Sequence, residues 1–189
     1  MKTREIVLGA VLTAFALLIP LAFGTYLRIL IPPFSATLAS HVPVMLAMLV
    51  SPSVAALVGV GSGLGFLMTY GLNPLGLMIG ARALMHAVWG WIGGAVVARG
   101  RSFSFALTLT APVHALAEAV AVVVVAVVLG IPLNQMRGAG VAGESLAAGT
   151  ILAVVVVGTF LHHVVDSGIS FAIARAAGWA HTDGRRAGR

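Results

Sequence analysis

Long apolar stretches that carry almost no charge dominate this sequence. Hydrophobic residues make up 60% of its 189 residues and charged residues only 8%, whereas a soluble domain carries about 25% charged residues. In a lipid bilayer every backbone N–H and C=O must be paired within the structure, so continuous apolar runs predict helices. Because one span needs about 20 residues, we expect a single all-α membrane domain over residues 1–189 with six transmembrane helices.

Prolines, glycines and short polar turns divide the chain into these six helices. The predicted helices cover Glu5–Gly24, Ser35–Val50, Ser53–Thr69, Pro74–Ala98, Phe103–Leu129 and Ser145–Ala177. The segment Thr25–Pro33 is predicted to be an apolar loop, and Leu133–Glu144 is the longest loop. We interpret the first apolar run as a retained helix rather than a signal peptide, because it is long enough to span and lacks a clean cleavage site.

The cations are distributed unevenly between the two sides of the predicted bundle. An even number of spans places both termini on one side, together with eight of the eleven Lys and Arg residues. These eight are Lys2, Arg4, Arg99, Arg101, Arg175, Arg185, Arg186 and Arg189. The other side holds Arg28 and Arg137, and Arg82 lies within the fourth helix. The positive-inside rule therefore predicts cytoplasmic N and C termini.

The third helix contains a glycine-rich run, Gly59–Gly65. No strand precedes this run, so it does not meet the structural context of a dinucleotide-binding loop. The pairs Gly59/Gly63 and Gly61/Gly65 have the small-xxx-small spacing that lets helix backbones approach closely. We predict that they serve helix packing.

Small residues also occur in the first helix, where Ala10 and Ala14 are four positions apart. One interpretation is contact with a neighbouring helix of the same chain, and the other is docking to a separate membrane protein. The residues alone leave both open.

Ionisable groups inside spans are functional candidates, because each costs at least about 2.5 kcal/mol at the bilayer centre. Arg82 and His86 lie four residues apart on the fourth helix, and Trp89 follows on much the same face. A guanidinium keeps its charge and suits a carboxylate or phosphate. The alternative is an arginine that reaches the outer headgroups.

Two further groups have the same helical spacing. His114 and Glu118 are an i, i+4 pair on the fifth helix, and His162 and Asp166 repeat it on the sixth, with His163 beside them. Three interpretations stay open for these groups. They could ligate a metal, they could line a small polar cavity and hydrogen-bond a ligand, or they could form structural pairs such as Arg82–Glu118. His41 and His163 individually are expected to be structural.

Several segments resemble one family of transport proteins. They are Ser40–Met48, Ser51-Pro52, the glycine-rich helix ending Leu64-Gly65-Phe66, and Ala81–His86 followed by Gly93-Gly94. Together with the six predicted spans and the chain length, they are similar to the substrate-binding S components of energy-coupling factor (ECF) vitamin transporters.

The resemblance implies partners and a binding site. Such a protein captures a vitamin and docks on a membrane-embedded T component driven by two cytoplasmic ATPase subunits. The family's docking motif on the first helix matches Ala10 and Ala14. Its ligand pocket lies near the outer surface, and the residues that fall at the matching helix and depth are Arg82, His86, His114, Glu118 and Asn134.

Within that family the chain looks most like the niacin-type members, through its second- and fourth-helix segments. This resemblance implies that Arg82 holds the nicotinate carboxylate and that Trp89 or Tyr26 stacks on the ring, with the Tyr26–Phe34 loop closing over the ligand. Metal-specific members begin with Met-His, whereas this chain begins Met-Lys-Thr. We therefore expect no metal ligands and no cofactor.

The function expected from the sequence is capture of a small vitamin, best nicotinate, for ATP-driven import, without enzymatic activity. The sequence contains no G-x-x-x-x-G-K-[ST] motif, so ATP hydrolysis is expected to come from partners. The alternatives are another vitamin or precursor, such as pantothenate, a thiamine precursor or pyridoxine, and an intramembrane metal-dependent enzyme.

Overall fold

The structure, a computed structural model, describes residues 1–31, 34–130 and 148–179. Within these residues the chain forms six helices and one small β-hairpin. The helices are α1 (Thr3–Leu27), α2 (Val42–Met48), α3 (Pro52–Tyr70), α4 (Pro74–Ala98), α5 (Phe103–Leu129) and α6 (Ala148–Ala176), and the strands are β1 (Arg28–Ile31) and β2 (Phe34–Thr37).

Local capping residues explain where several helices begin and end. The side chains of Ser51, Asn73 and Ser102 accept hydrogen bonds from backbone N–H groups in the first turns of α3, α4 and α5, as favoured N-cap residues do. Gly130 ends α5 in the left-handed conformation, which glycine adopts without a steric penalty. The predicted bounds of α4 and α5 are confirmed.

The prediction for the second helix is wrong in its first part. The predicted helix over 35–50 is replaced by β2, a turn over 38–41 and the seven-residue helix α2. Ala39 has a positive φ of 67°, which no residue of an α-helix adopts. Pro43 lies in the first turn of α2, where its missing N–H is not needed.

The connection between α1 and α2 also differs from the prediction of a plain loop. Helix α1 continues to Leu27, and β1 and β2 then pair antiparallel, with Arg28 opposite Thr37 and Ile29 opposite Ala36. The all-α class therefore holds apart from this one hairpin.

Glycines in α3 permit close packing against α1, as the spacing predicted. A Cβ at Gly61 would lie 2.5 Å from Cγ2 of Thr13, and one at Gly65 would lie 2.5 Å from Cδ2 of Leu17. These two glycines therefore form the α3 surface on which α1 rests.

The other two glycines of the run face α4. A Cβ at Gly59 would lie 2.5 Å from the carbonyl carbon of His86, and one at Gly63 would lie 2.5 Å from Cγ of Leu84. The packing role predicted for both glycine pairs is confirmed, and α3 is held between α1 and α4.

The same contacts give the helix directions. Helix α3 runs parallel to α1 and antiparallel to α4, and α5 runs antiparallel to both α4 and α6. The N-terminal ends of α1, α3 and α5 therefore lie at one end of the bundle with the C-terminal ends of α4 and α6. The described cations at that end are Lys2, Arg4, Arg99, Arg101 and Arg175.

In the part of the chain that the structure describes, four helices are long and apolar enough to cross a membrane: Thr3–Leu27, Pro52–Tyr70, Phe103–Leu129 and Gly149–Ala176. Helix α4 has 25 residues, but Arg82 and His86 lower its hydropathy. Helix α2 has seven residues, or about 10 Å at 1.5 Å per residue, and is shorter than a span. The chain is thus an all-α, multi-pass membrane protein, while the six-span count and the cytoplasmic termini stay predictions.

Helix α2 lies in the centre of the core despite its length. Val44, Met45 and Ala47 are fully buried, and Val44 and Met48 contact the positions where Gly90 and Gly93 leave room on α4. This packing fixes the residue before α2, His41, among the long helices.

Candidate functional site

Nine side chains from three long helices and the 38–41 turn converge in the interior of the bundle. We call this group the polar cluster. Its members are His41, Arg82, His86, Trp89, His114, Glu118, His162, His163 and Asp166. Arg82 lies about 12 Å along α4 from the first residue of that helix, at 1.5 Å per residue. His86 and His162 lie at the midpoints of α4 and α6, so the cluster occupies the middle of the bundle, and Arg82 is its member nearest the end opposite the grouped cations.

Glu118 is held by charge and by hydrogen bonds. Arg82 donates from Nε to Oε2 at 3.0 Å and from Nη2 to the same oxygen, and Thr159 donates to it at 2.7 Å. The other oxygen, Oε1, lies 3.3 Å from Nε2 of His114 and 3.7 Å from Nε2 of His86. A buried charge is tolerated only when it is paired and hydrogen-bonded, and Arg82 supplies that pairing.

A chain of hydrogen bonds orients His114. Nε2 of His163 lies 3.1 Å from the carbonyl oxygen of Leu107, and Nδ1 of His163 lies 3.0 Å from Nδ1 of His114. A carbonyl only accepts, so a neutral His163 carries its proton on Nε2 and accepts at Nδ1. His114 then donates from Nδ1, and its Nε2 presents a lone pair.

Asp166 holds the turn that carries His41. Its Oδ1 accepts the backbone N–H of Ala39 at 2.8 Å, and its Oδ2 accepts that of His41 at 3.0 Å. His162 reinforces the contact, because its Nε2 lies 3.1 Å from the backbone oxygen of Thr37 and 3.1 Å from Oδ2 of Asp166. These bonds stabilise the positive φ of Ala39 and join the hairpin to α6.

The His41 ring fills the centre of the cluster. Its centroid lies 4.7 Å from that of His86, 4.6 Å from that of His114 and 4.4 Å from that of His162. Trp89 closes one side, with its ring 4.8 Å from His114. The rings are therefore packed against one another inside the bundle.

Three buried ring nitrogens of the described residues have no hydrogen-bond partner. They are Nδ1 of His41, Nδ1 of His86 and Nε1 of Trp89. Nδ1 of His41 lies 3.3 Å from Oδ2 of Asp166, but the angles do not make a hydrogen bond. Each unsatisfied buried polar group costs about 1–3 kcal/mol, and such groups in a native structure call for an explanation.

Among the described residues, two groups of side chains could hold a metal ion. One potential ligand atom from each of His41, His86, His114 and Glu118 lies within 4.8 Å of the others, and the same is true of His41, His162 and Asp166. All of these residues are buried. The sequence analysis left metal ligation open for His114 with Glu118 and for His162 with Asp166, but it did not include His41 or His86 in a metal group.

The structure brings together most of the residues that the sequence singled out. Arg82, His86, Trp89, His114 and Glu118 all belong to the polar cluster. Tyr26 does not, because it lies near the end of α1 with 85% of its surface exposed. Asn134 lies outside the described residues.

His41 and His163, which the sequence analysis expected to be individually structural, both lie inside the polar cluster. Both are buried, and both contact the residues predicted to bind ligand. In the sequence, the sign that this segment reaches the cluster was His41 itself, an ionisable residue in the otherwise apolar Ser40–Met48 segment. Ala10 and Ala14 are exposed on α1.

The fold and the cluster together define a class: a multi-pass helical protein of the cell membrane that gathers the buried ionisable groups of its described residues in one site. Comparison with known proteins makes this more specific. The chain is similar to the niacin transporter NiaX of Lactococcus lactis subsp. cremoris (strain MG1363), with 42% identity over 85 residues. That match covers 45% of this chain and 36% of the relative. No protein-family profile and no solved structure matches the chain.

Proposed function

We propose that this chain is the substrate-binding membrane subunit of an ECF-type importer and that it captures a small vitamin, best nicotinate, in the polar cluster. The observation that carries the proposal is Trp89, whose indole N–H is a fully buried donor without a partner in the same cluster as the partly buried Arg82. Similarity to a niacin transporter supports the choice of vitamin.

Nicotinate has the groups that this cluster complements. Its carboxylate binds the Arg82 guanidinium beside Glu118, since a guanidinium carries five donors in a planar fork. Its ring packs among the aromatic rings of His86, His114 and Trp89, and the Trp89 N–H donates to a ligand acceptor. Tyr26 is not required for this binding mode.

Access to the buried cluster needs a moving part, and the segment that precedes His41 is the best candidate. The hairpin and the 38–41 turn are held to α6 chiefly by Asp166 and His162. Release of these few bonds would withdraw the His41 ring from the centre of the cluster. We propose that this segment, including the Tyr26–Phe34 stretch predicted to close over ligand, opens for entry and closes after binding.

We propose binding rather than catalysis for the cluster. Both oxygens of Glu118 face Arg82, Thr159 or the histidines, and both oxygens of Asp166 accept backbone N–H groups. A general base needs an oxygen within reach of a substrate proton. These two carboxylates hold the site together instead.

Transport would depend on partners, a T component and two ATPase subunits. Ala10 and Ala14 are exposed, and only Gly9 and Ala16 of α1 are buried, which leaves an exposed face of this helix with two small side chains on it. Small residues permit close approach of a partner helix. We propose this face as the docking surface for the T component.

Isothermal titration calorimetry of the purified protein with nicotinate tests the proposed ligand. Trp89→Phe removes the indole N–H and keeps an aromatic ring, and we expect about a tenfold loss of affinity because one hydrogen bond contributes about 1 kcal/mol or more. Trp91→Phe is the matched control, since Trp91 is 52% exposed, and it should bind like the wild type. Absence of nicotinate binding, or equal affinity of both variants, would contradict the proposal.

The docking surface has a separate test. Replacing Ala10 and Ala14 together with Trp should abolish nicotinate uptake by cells while purified protein still binds nicotinate. The matched control places Trp at Leu116 and Val120, which have the same spacing on α5 and are 61% and 59% exposed. Equal uptake by the two double variants would exclude α1 as the docking surface.

A further inference from the structure

The chemistry around Glu118 Oε1 leaves one contact unexplained. The hydrogen-bond chain through His163 leaves a neutral His114 with a lone pair on Nε2, and this lone pair faces the carboxylate oxygen Oε1 at 3.3 Å. Two acceptors at this distance repel each other unless a positive charge lies between them. A proton or a metal cation is needed there.

His41 and His86 each have one potential ligand atom within 4.8 Å of those of His114 and Glu118. Nε2 of His86 lies 3.7 Å from Oε1 of Glu118. Nδ1 of His41 lies 3.3 Å from Oδ2 of Asp166, so a small ring rotation would let it donate there and would leave its Nε2 for another partner. Metal-bound histidines commonly donate their second ring N–H to a carboxylate or carbonyl in this way. His114 already does the equivalent through His163.

We propose that the polar cluster binds one divalent transition-metal ion, zinc first, through Nε2 of His41, His86 and His114 and through Oε1 of Glu118. Imidazole and carboxylate ligands without sulfur suit zinc and its neighbours in the first transition row. Ligand atoms in a tetrahedral site with bonds of about 2.1 Å lie about 3.4 Å apart. The four potential ligand atoms are within 4.8 Å of one another, so rotations of the side chains suffice to close the site.

The second group of possible ligands is less suitable. Both oxygens of Asp166 accept the backbone N–H groups of Ala39 and His41, and Nε2 of His162 faces the oxygen of Thr37. Metal binding there would break the contacts that hold the turn. A metal in the group containing Glu118 would instead lie between two atoms, Nε2 of His114 and Oε1 of Glu118, that otherwise face each other as acceptors.

The charges of the cluster also favour a dication. Among its ionised side chains, Arg82 balances one of the two carboxylates, which leaves one negative charge from Glu118 and Asp166. A divalent ion converts this into one positive charge, and a monoanionic ligand would then bring the site to neutrality. A net charge is costly in a low-dielectric interior, so a neutral site is more stable there. The metal site goes beyond the proposed vitamin capture and does not depend on it.

Metal binding by the tag-free protein in detergent, stripped with a chelator and reloaded with Zn²⁺ alone, tests the inference. Elemental analysis should find about one zinc per chain, and Co²⁺ should give the visible absorption of a tetrahedral site. His86→Gln should lower zinc affinity at least tenfold and remove the cobalt band. His86 is the best position to change, because its Nδ1 has no hydrogen bond to lose.

Two variants serve as controls. His162→Gln keeps an N–H donor toward the turn and removes the alternative ligand group, and it should retain zinc. His181→Gln, at a position outside the described residues, measures background binding by a histidine and should also retain zinc. Thermal unfolding of each variant shows whether it is folded. The cobalt spectrum of the wild-type protein tests the site without any substitution.

Zinc binding no tighter in the wild type than in His86→Gln, or absence of a tetrahedral cobalt spectrum, would overturn the proposed site. Loss of zinc in His162→Gln with retention in His86→Gln would also overturn this choice of ligands. The vitamin proposal has a distinct outcome: nicotinate binding by metal-free protein without zinc binding leaves vitamin capture standing and removes the metal site.

Discussion

Glu118 is the residue on which the polar contacts of the cluster converge. Its two oxygens face an arginine, a threonine and two histidines, so a single side chain connects α4, α5 and α6. Of these contacts, the pair with Arg82 matters most for stability, because it compensates the buried negative charge.

Removing one member of this pair should destabilise the protein more than removing both. We expect Arg82→Met to lower the free energy of unfolding by about 3–5 kcal/mol, since it leaves Glu118 as an uncompensated buried charge. The double variant Arg82→Met with Glu118→Leu should recover most of this loss. Thermal unfolding in detergent provides the comparison, and a double variant as unstable as the single would contradict the uncompensated Glu118 charge as the cause of the loss.

Helical spacing predicted much of the site. His114 with Glu118, and Arg82 with His86, each share a helix face because of the 3.6-residue period, and both pairs lie in the cluster. His41 could not be placed in this way. Its position depends on a turn whose hydrogen bonds reach Asp166, 125 residues further along the chain, and no local pattern encodes such a contact.

At the scale of elements, α3 is the spacer that sets the position of α4 and therefore of the cluster. Its glycines allow the α4 backbone to approach at the level of His86. The sequence predicted this packing from spacing alone, because backbone approach follows directly from missing side chains. It did not predict the hairpin, whose tertiary contacts override the helical tendency of 35–41.

Adding one methyl group at Gly59 should disturb both stability and the site. A Cβ there would lie 2.5 Å from the carbonyl carbon of His86 and against the backbone of Ala87, so α4 must shift. We expect Gly59→Ala to destabilise by about 1–3 kcal/mol and to weaken ligand binding. Gly168→Ala is the control, because nothing lies within 4 Å of its Cβ; a similar loss there would contradict this explanation.

The turn before α2 should loosen when Asp166 loses one of its acceptors. Asp166→Asn keeps one carbonyl oxygen, so the N–H groups of Ala39 and His41 must share it. We expect faster hydrogen–deuterium exchange over residues 38–41, measured by mass spectrometry. Ser167→Ala, which removes only a 4.0 Å contact to sulfur of Met45, should leave exchange there unchanged. Equal protection in both variants would show that other contacts hold the turn.

On the scale of the whole molecule, five of the seven described Lys and Arg residues lie at one end of the bundle, and the polar cluster lies about midway along the long helices. The grouped cations agree with a positively charged face in the cytoplasm. The orientation itself remains a prediction from the charge count.

The chain contains no cysteine, so single cysteines report its orientation directly. Leu72→Cys, at a position 78% exposed between α3 and α4, should react with a membrane-impermeant maleimide on intact cells. Ser104→Cys, exposed near the start of α5, should react only after the membrane is opened. The reverse pattern would invert the orientation.

The most direct measurement for the central claim is mass spectrometry of the small molecules released when the purified protein is denatured. If the polar cluster captures a vitamin, cells that contain nicotinate should yield protein carrying a small aromatic carboxylate, and Trp89→Phe should carry less of it than Trp91→Phe. Recovery of no vitamin-like molecule from the wild type, together with no nicotinate binding by calorimetry, would contradict vitamin capture at this site.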